Sequence, residues 1–365
     1  MFTIGAFAVI FDPQGQGRVL LCHRRDIDLW NLPGGGLEGS ELPTEAALRE
    51  VREETGLEVE IERLVGVYGK NDKDLVFTFE CRVVGGQLST SDESDAYGYF
   101  AIDQIPLNTN PKHVERIRDA QKREAAPVFR RQDGLSSREY AASIYYQLRQ
   151  DKLLAEFNED AAHWLPVIAG KGGVDFASDV VNAARLRLAA LMPQVAYIGG
   201  DENHLTGELL RAGRCLAFYQ AMQTAGKSAA ETGWVLYAAI VAQPKPVVPP
   251  AEELSEAQLM ERRQARAERS QQRRYPGDWV YEFIVGDGQS FDYGYNFSQC
   301  AAQLFFRAQG AAEFLPFFCR LDFAYSRVGG EGLERSLTLA EGDALCNPRF
   351  KRGRPSEPAW PLIWR

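Results

Sequence analysis

The segment from Gly34 to Leu57 constrains the fold of this chain more than any other part of its sequence. It opens with three consecutive glycines, continues through helix-forming residues after a proline at position 43 and reaches another glycine at position 56. On a helix of 100° per residue, three carboxylates share an arc of roughly 100°: Glu50, Glu53 and Glu54. The adjoining arc is apolar and contains Ala47, Leu48 and Val51. The segment therefore predicts a helix that packs through one face and presents carboxylates on the next.

The three carboxylates predict a binding site for a hard divalent cation. Like charges crowded on one helical turn raise carboxylate pKa values unless a cation neutralises them, and Mg²⁺ prefers oxygen ligands. The glycines before the helix allow the backbone to approach a ligand closely, and Gly56 is a typical C-cap. Taken alone, the glutamates leave a second interpretation open, that of a solvated acidic face.

The complete spacing resembles the Nudix box, G-x5-E-x7-R-E-U-x-E-E-x-G-U, where U is a bulky aliphatic residue. The residues that fill its fixed positions are Gly35, Glu41, Arg49, Glu50, Val51, Glu53, Glu54, Gly56 and Leu57. The resemblance covers about residues 1–125 and implies an α/β/α sandwich around a mixed sheet. It also implies an activity, the hydrolysis of a nucleoside diphosphate linked to another moiety, with Mg²⁺ or Mn²⁺ as the cofactor.

The resemblance further implies roles for individual residues. The metal would be held by Glu50, Glu53 and Glu54 and by the carbonyl oxygen of Gly34. Arg49 would orient the carboxylates through ion pairs. These assignments make the helix that carries the box the catalytic element of the predicted domain.

A base that takes the proton of the attacking water is predicted in the acidic segment 91–95. Glu93 is the candidate, beside the alternative of a solvated acidic loop. The candidate substrate ligands are Arg24, Arg25, Gly35 and Gly36. Residues 72–75 contain neither the proline nor the tyrosine that often distinguishes Nudix subfamilies beyond the box, so the identity of the nucleotide stays open.

The length of the chain, 365 residues, exceeds what one hydrophobic core usually supports. Its composition, 45% hydrophobic and 25% charged, excludes a mainly disordered chain. The predicted class is α+β, with a helical region followed by a helix-flanked antiparallel sheet in the second domain. The predicted parts are a Nudix domain over 1–125, a connector and first helix over 126–149, a second domain over 150–353 with a proline-rich connector at 243–250, and a tail over 354–365.

Two parts of the second domain resemble the L-2-amino-thiazoline-4-carboxylic acid hydrolase family, namely residues 198–222 and the segments between 291 and 346. This resemblance implies hydrolytic opening of a small cyclic C–N bond, with Cys319 and Cys346 as candidate nucleophiles. A neighbouring cation lowers the pKa of a thiol, and Arg320 and Arg349 lie close to these cysteines in sequence. The alternative is that the cysteines pack as small buried hydrophobes. The chain departs from the family where an asparagine, rather than an aspartate, follows Cys346.

An arginine-rich stretch at 254–274 has two interpretations, a nucleic-acid patch or a solvated helix. Its basic residues are Arg262, Arg263, Arg266, Arg269, Arg273 and Arg274. The acidic residues that interleave with them are Glu253, Glu256, Glu261 and Glu268. Because this spacing allows ion pairs along one helix, the sequence favours a solvated helix whose charges pair with one another.

Charge and hydropathy restrict the partners and the location. The net charge is −9, and residues 1–125 hold 14 basic against 22 acidic residues, which disfavours binding to nucleic acid. No run of about 18 apolar residues and no leader-like start occurs, and the six cysteines form no C-x-x-C pair. We expect a cytoplasmic protein with reduced thiols, a small nucleotide-type substrate and no membrane partner; a homodimer is left open. Three alternatives remain: a bifunctional enzyme, a nucleotide sensor with a partner-binding module, and a second domain that serves assembly.

Overall fold

The computed structural model describes residues 3–70, 74–243 and 255–354, without the side chain of Lys70. The chain divides into two compact units, Met1–Ile144 and Tyr145–Arg365. The proline-rich connector predicted at 243–250, apart from Gln243, and the predicted tail, apart from Arg354, lie outside the described residues. Asp72 and Lys73 of the subfamily-specific segment also lie outside them.

The first unit is built on two sheets. The strands are β1 (Thr3–Ile10), β2 (Val19–Arg24), β3 (Trp30–Asn31), β4 (Gly34–Gly36), β5 (Leu57–Lys70), β6 (Asp74–Gly86), β7 (Ser94–Phe100) and β8 (Val128–Arg131). The helices are α1 (Pro43–Thr55) and α2 (Pro111–Lys122), followed by α3 (Ser137–Leu148), within which the division between the units falls. The larger sheet has the order β4-β1-β6-β5-β8, with parallel β1/β6 and β5/β8 pairs, so it is mixed. The smaller sheet has the order β3-β2-β7.

Helix α1 begins and ends where its sequence requires. Pro43 occupies the first turn, and the Glu45 carboxylate accepts a hydrogen bond from the Leu42 N–H at 2.9 Å, which satisfies one of the donors that a helix start leaves open. Gly56 ends the helix with φ of 72°, a left-handed conformation that glycine adopts without strain. Ala46, rather than the predicted Leu48, completes the buried face; Leu48 is 38% exposed. The helix packs on β1 through this face and holds its carboxylates beside β4.

The second unit combines a helical region with a four-stranded antiparallel sheet. Its helices are α4 (Gln150–Gly172), α5 (Val174–Leu191), α6 (Thr206–Thr224), α7 (Ala229–Ala242), α8 (Glu256–Gln271), α9 (Ala301–Ala308) and α10 (Leu315–Gly329). Its strands are β9 (Val280–Val285), β10 (Tyr293–Gln299), β11 (Glu331–Glu334) and β12 (Arg349–Arg352), in the order β11-β12-β10-β9. One apolar core fills this unit around fully buried aromatic side chains such as Phe157, Phe218 and Phe306.

The α+β class predicted from the sequence is confirmed. In the second unit, the segment 343–351 is mostly irregular and contributes its last three residues to β12, while 333–340 contributes two residues to β11. Helix α4 buries Leu153, Phe157, Ala161, Trp164 and Ile168, which follow helical spacing. Among the described residues, no helix is long and apolar enough to span a membrane.

Candidate active site

Arg49 is the centre of an ion-pair network on the exposed side of α1. Its Nε and Nη2 donate to the two carboxylate oxygens of Glu41 at 2.8 and 3.0 Å. Its Nη1 donates to Glu50 at 3.0 Å and to Glu53 at 2.9 Å. Nη2 also donates to the carbonyl oxygen of Gly36 at 3.0 Å. Arg49 therefore ties the carboxylate face of α1 to the glycine strand β4.

The carboxylate of Glu54 faces β4 from the other side. It accepts a hydrogen bond from the backbone N–H of Gly34 at 3.0 Å. Burial, together with the negative charges of Glu50 and Glu93, raises the pKa of Glu54 to about 7. Burial also raises the pKa of Glu50, and the charges of Glu53 and Glu93 add to this shift, whereas Arg49 opposes it. The site thus concentrates negative charge that its own cations do not fully neutralise.

Strand β4 lies so close to α1 that a side chain at one of its positions would displace a carboxylate of the helix. A Cβ atom on Gly35 would lie 2.5 Å from Oε1 of Glu50. Gly34 has φ of 142°, a conformation that other residues rarely adopt, and a Cβ there would overlap the backbone of Phe7. The glycines predicted to approach a ligand therefore first allow the backbone to approach the carboxylates.

A cavity of about 720 Å³ opens beside this face. It is lined by four of the predicted groups, the β4 glycines, Glu54, Glu93 and the pair Arg24 and Arg25. Arg24 is engaged by Asp26, to which it donates two hydrogen bonds at 2.8 and 2.7 Å. The backbone N–H of Arg25 donates to the carbonyl oxygen of Glu93 at 2.9 Å, which fixes the acidic loop to the end of β2. The structure thus brings Glu93 to the cavity that Glu54 lines.

His23, which precedes Arg24 on β2, also contacts the acidic segment 91–95 that carries Glu93. Its Nδ1 lies 2.7 Å from Asp95 and its Nε2 lies 3.1 Å from Asp28. Burial lowers the pKa of His23, but the hydrogen bonds and charges of the two aspartates outweigh it and raise the pKa above the ordinary value. Protonation of His23 therefore strengthens the attachment of the loop that carries Glu93.

Helix α2 supplies a basic wall of the cavity that sequence reasoning missed. Lys112, His113 and Arg116 line the cavity from this helix. The Nδ1 of His113 accepts a hydrogen bond from the Leu32 N–H at 2.9 Å, which in the neutral ring leaves the proton on Nε2. The signal in the sequence was the spacing of three and four residues between these basic side chains, which predicts one helical face.

Arg116 is the most buried cation of that wall. It is 2% exposed and lies over the rings of Phe7 and Tyr68, at 5.1 and 5.4 Å from their centroids. Its Nε and Nη2 donate to Gln132, and Nη1 has no hydrogen-bond partner among the described residues. Burial lowers the pKa of Arg116 to about 10. The cavity therefore combines basic side chains of α2 with Glu54, the one carboxylate of α1 in its described lining, and with Glu93.

The donor set at α1 fits a divalent cation in its chemistry. Glu50 and Glu54 have raised pKa values, so a cation beside them would relieve repulsion, and the fit of Gly35 against Glu50 leaves no room for a side chain between backbone and carboxylate. In the part of the chain that the structure describes, however, no group of three or more acidic, histidine or cysteine side chains forms a ready metal cluster. Arg49 binds Glu50 and Glu53 while Gly34 binds Glu54, so these contacts hold the carboxylates apart.

A second, smaller cavity of about 180 Å³ is lined by Cys300, Cys319 and Cys346 of the second unit. The Sγ of Cys346 accepts a hydrogen bond from the Leu339 N–H at 3.0 Å. Burial raises the pKa of Cys300 to about 11 and that of Cys319 well above its ordinary value. The backbone of Ala302 and Gln303 opposes this rise in pKa at Cys300.

The cations beside these thiols are not the ones predicted from sequence proximity. Arg320 forms an ion pair with Glu341 at 3.8 Å, and Arg349 donates to Tyr295 and Asn296. Arg335 instead lines the cavity and donates to the carbonyl oxygen of Cys319 at 2.6 Å. Arg320 directly follows Cys319 on α10, where consecutive side chains point in different directions. Arg349 lies three residues after Cys346 in an extended segment, where side chains alternate between two faces.

Comparison with known proteins identifies both parts of the chain. A model of the NUDIX domain matches residues 1–120. A MutT-like protein of Streptomyces ambofaciens is 39% identical over 120 residues, which are 33% of this chain and 77% of that protein. The chain belongs to the Nudix family. A model described as L-2-amino-thiazoline-4-carboxylic acid hydrolase matches residues 208–350, so both resemblances seen in the sequence are confirmed.

Further relatives match the Nudix domain only. The ADP-ribose pyrophosphatase of Methanocaldococcus jannaschii is 36% identical over 99 residues, which are 25% of this chain and 59% of that protein. A crystal structure of an ADP-ribose pyrophosphatase from Streptococcus suis shares 25% identity at a TM-score of 0.31 and covers 36% of this chain and 100% of its own. A UDP-X diphosphatase structure shares 26% identity at a TM-score of 0.32, covering 36% of this chain and 67% of its own.

Proposed function

We propose that the Nudix domain hydrolyses the diphosphate linkage of a nucleoside diphosphate derivative, with Mg²⁺ or Mn²⁺ as its cofactor. One observation carries the proposal: Glu50 and Glu54, with raised pKa values, lie against the glycine backbone of β4, and Glu54 lines a cavity that basic side chains of α2 also line. A diphosphate needs a cation on its oxygens, and its nucleoside needs a separate subsite. The acidic and the basic side chains match these two requirements.

The role that we propose for each residue follows from the charge of its side chain. Glu50, Glu53, Glu54 and the Gly34 carbonyl would hold the metal, which when bound neutralises diphosphate charge and acidifies a water molecule. Arg49 positions the carboxylates through its ion pairs. Glu93 takes the proton of the attacking water. Arg24, Arg25 and the backbone of Gly35 and Gly36 bind phosphate oxygens.

The basic wall suits the part of the substrate that is not hydrolysed. His113 and Arg116 line the cavity, and Arg116 lies over the rings of Phe7 and Tyr68 with no hydrogen-bond partner on Nη1 among the described residues. Such groups can hydrogen-bond the edge of a nucleobase or a phosphate that is not cleaved. The relatives named for nucleotide substrates, such as the ADP-ribose pyrophosphatase of M. jannaschii, support a small nucleotide-type substrate. The cytoplasmic location, the homodimer and the absence of nucleic-acid or membrane partners stay predictions.

A substrate panel tests this function. The purified full chain is incubated with ADP-ribose, UDP-sugars, dinucleoside polyphosphates and oxidised and ordinary deoxynucleoside triphosphates, with Mg²⁺ and with EDTA. We expect metal-dependent release of a phosphate-bearing product from at least one class. E53Q should abolish the release, whereas E124Q, which changes an exposed carboxylate away from the cavity, should retain it. No product from any class, or full activity in E53Q, would contradict the proposal.

A second activity is supported by the environment of Cys346. We propose that its thiol attacks the amidine carbon of a small cyclic substrate and forms a C–S bond while the ring C–N bond breaks and its nitrogen takes the thiol proton. Water then cleaves the C–S bond and restores the thiol. The Leu339 N–H donates to this sulfur at 3.0 Å, whereas burial raises the pKa of Cys319 well above its ordinary value. With L-2-amino-thiazoline-4-carboxylate as the probe, C346A should lose ring opening and C319A should retain most of it; equal turnover in C346A and the parent would reject the assignment.

A further inference from the structure

Helix α8 carries a cluster of arginines without acidic partners. Arg262, Arg266 and Arg269 follow one another at spacings of four and three residues and therefore share a face of the helix. In the described residues, no carboxylate lies within ion-pair distance of any of the three; the predicted pairing along the helix is wrong. Glu268 accepts from Gln264 at 2.9 Å and Glu256 pairs with Arg352 at 3.0 Å, so these two glutamates serve other partners.

The position of this cluster is fixed by the sheet. The Ser270 hydroxyl accepts from the N–H of Tyr281 and donates to its carbonyl oxygen, both at 3.1 Å. Gln271 donates to the same carbonyl oxygen at 2.8 Å. These bonds anchor the last turn of α8, which contains Arg269, against β9. Arg266 lies one turn earlier.

A small pocket of about 150 Å³ lies beside the end of α8. It is lined by Arg266 and Arg269 on one side, by His204 and Leu205 at the start of α6 on another, and by aromatic side chains including Trp279 and Tyr281. Cavities that hold drug-sized ligands are larger, about 300 to 1,000 Å³. The volume therefore fits one small group rather than a whole nucleotide.

The charges that face the pocket are predominantly positive. Its own acidic residues are engaged: Asp278 accepts from Asn203 and from the Trp279 N–H, both at 2.7 Å, and Glu202 lies 3.9 Å from Arg274. Burial, together with Arg262 and Arg269, lowers the pKa of Arg266. Burial and the same group of arginines lower the pKa of His204 to about 4, against the weaker influence of Glu208, so His204 is a neutral donor or acceptor at pH 7.

We propose that this pocket binds a small phosphate anion, or the phosphoryl group of a small ligand, between Arg266 and Arg269. Guanidinium groups match phosphate oxygens with two parallel hydrogen bonds, and more than one guanidinium is needed to balance a dianion. The start of α6 adds the positive end of a helix dipole. The anion would relieve the repulsion among the three arginines that no carboxylate relieves. This site shares no described lining residue with the Nudix cavity and borders the cavity of Cys346, with which it shares Leu205 and Trp279; it does not depend on either proposed activity.

Calorimetric titration with inorganic phosphate tests the site on the full chain without added metal. We expect the parent protein to bind phosphate, and R266Q/R269Q to lose one binding site or to weaken it by about tenfold to a hundredfold. The matched control is R185Q/R307Q, which removes the same charge from exposed arginines outside the pocket and should bind as the parent does. Phosphate bound in the Nudix cavity contributes equally to all three proteins. Acetate in place of phosphate should bind at least tenfold more weakly, since a monoanion uses fewer guanidinium donors.

The outcomes that overturn the proposal are separate from a failure to fold. R266K/R269K keeps the charge but loses the forked geometry, so it should fold and bind with an intermediate affinity; circular dichroism and thermal unfolding verify the fold of each variant. Identical phosphate stoichiometry and affinity in the parent, R266Q/R269Q and R266K/R269K would overturn the site. Equal weakening in R185Q/R307Q would also overturn it, because the effect would then reflect net charge alone.

Discussion

At the scale of single residues, Arg49 determines the geometry of the carboxylates. It contacts three glutamates and one backbone carbonyl at once, which only a planar group with five donors can do. The neighbouring Glu50 and Glu54 have raised pKa values because burial and mutual repulsion are only partly offset. This excess of negative charge supports the proposal that the site binds a cation.

The first prediction concerns R49K. Lysine keeps the charge but cannot hold Glu41, Glu50 and Glu53 together, so we expect kcat to fall about 10- to 100-fold with a smaller change in KM. The Mg²⁺ concentration for half-maximal activity should rise, a change that a purely structural defect would not produce. Steady-state kinetics at several Mg²⁺ concentrations measures both. An unchanged metal dependence would show that Arg49 does not position the metal ligands.

The second prediction concerns His23 and pH. Its pKa is raised in the folded chain, so its contribution to stability is full below the unfolded pKa and is lost as the pH rises through the higher folded value. The difference in Tm between the parent and H23Q should therefore be largest near pH 5.5 and should shrink by pH 8.5. Thermal unfolding across this range measures it. A difference that grows with pH would contradict the assigned ion pairs with Asp28 and Asp95.

At the scale of elements, strand β4 and helix α1 form the site together. Gly35 approaches Glu50 so closely that any side chain would displace the carboxylate. The box helix and its end at Gly56 could be predicted because its signals are local: periodicity, spacing and a C-cap. Leu48, predicted on the buried face, is exposed and Ala46 is buried, because the exact packing angle against β1 depends on tertiary contacts.

The third prediction concerns G35A. A Cβ at 2.5 Å from the Glu50 carboxylate must push it away, so affinity for Mg²⁺ should fall at least about tenfold, equivalent to the loss of one charged contact. G69A, where a Cβ meets no atom within 4 Å, is the matched control and should retain affinity. Calorimetry with Mg²⁺ compares the two. Equal affinities would mean that Glu50 is not a ligand.

The elements that sequence reasoning missed depend on distant contacts. The basic side chains of α2 could not be assigned to the cavity from the sequence. Their positions depend on hydrogen bonds of His113 with Leu32 and of Arg116 with Gln132, which are distant in sequence. Arg335 reaches Cys319 across 16 residues, whereas Arg320 beside it points to Glu341. The pairing assumed along α8 failed because helical spacing permits ion pairs but does not require them when other partners are within reach.

At the scale of the whole molecule, the chain joins two units with separate cores and separate cavities. The fold class and both families could be predicted from the sequence, since each leaves a motif or a run of characteristic segments. The substrate of each unit could not, because specificity depends on which side chains line a cavity.

The fourth prediction concerns the independence of the two sites. E53Q should remove diphosphate hydrolysis and leave any Cys346-dependent ring opening intact, and C346A should do the reverse, since each cavity is lined by described residues of one unit. Both activities are assayed on each variant and on the double variant. Loss of both activities in either single variant would indicate that the sites are coupled.

A titration with Mn²⁺, followed by the electron paramagnetic resonance signal of the free ion, tests whether the carboxylates of α1 bind metal. We expect the parent chain and E124Q to remove Mn²⁺ from solution, with or without nucleotide, and E50Q/E53Q/E54Q not to do so. Equal uptake by all three proteins, or no uptake by the parent in the presence of a nucleoside diphosphate, would contradict the assignment of the carboxylates of α1 as a metal site.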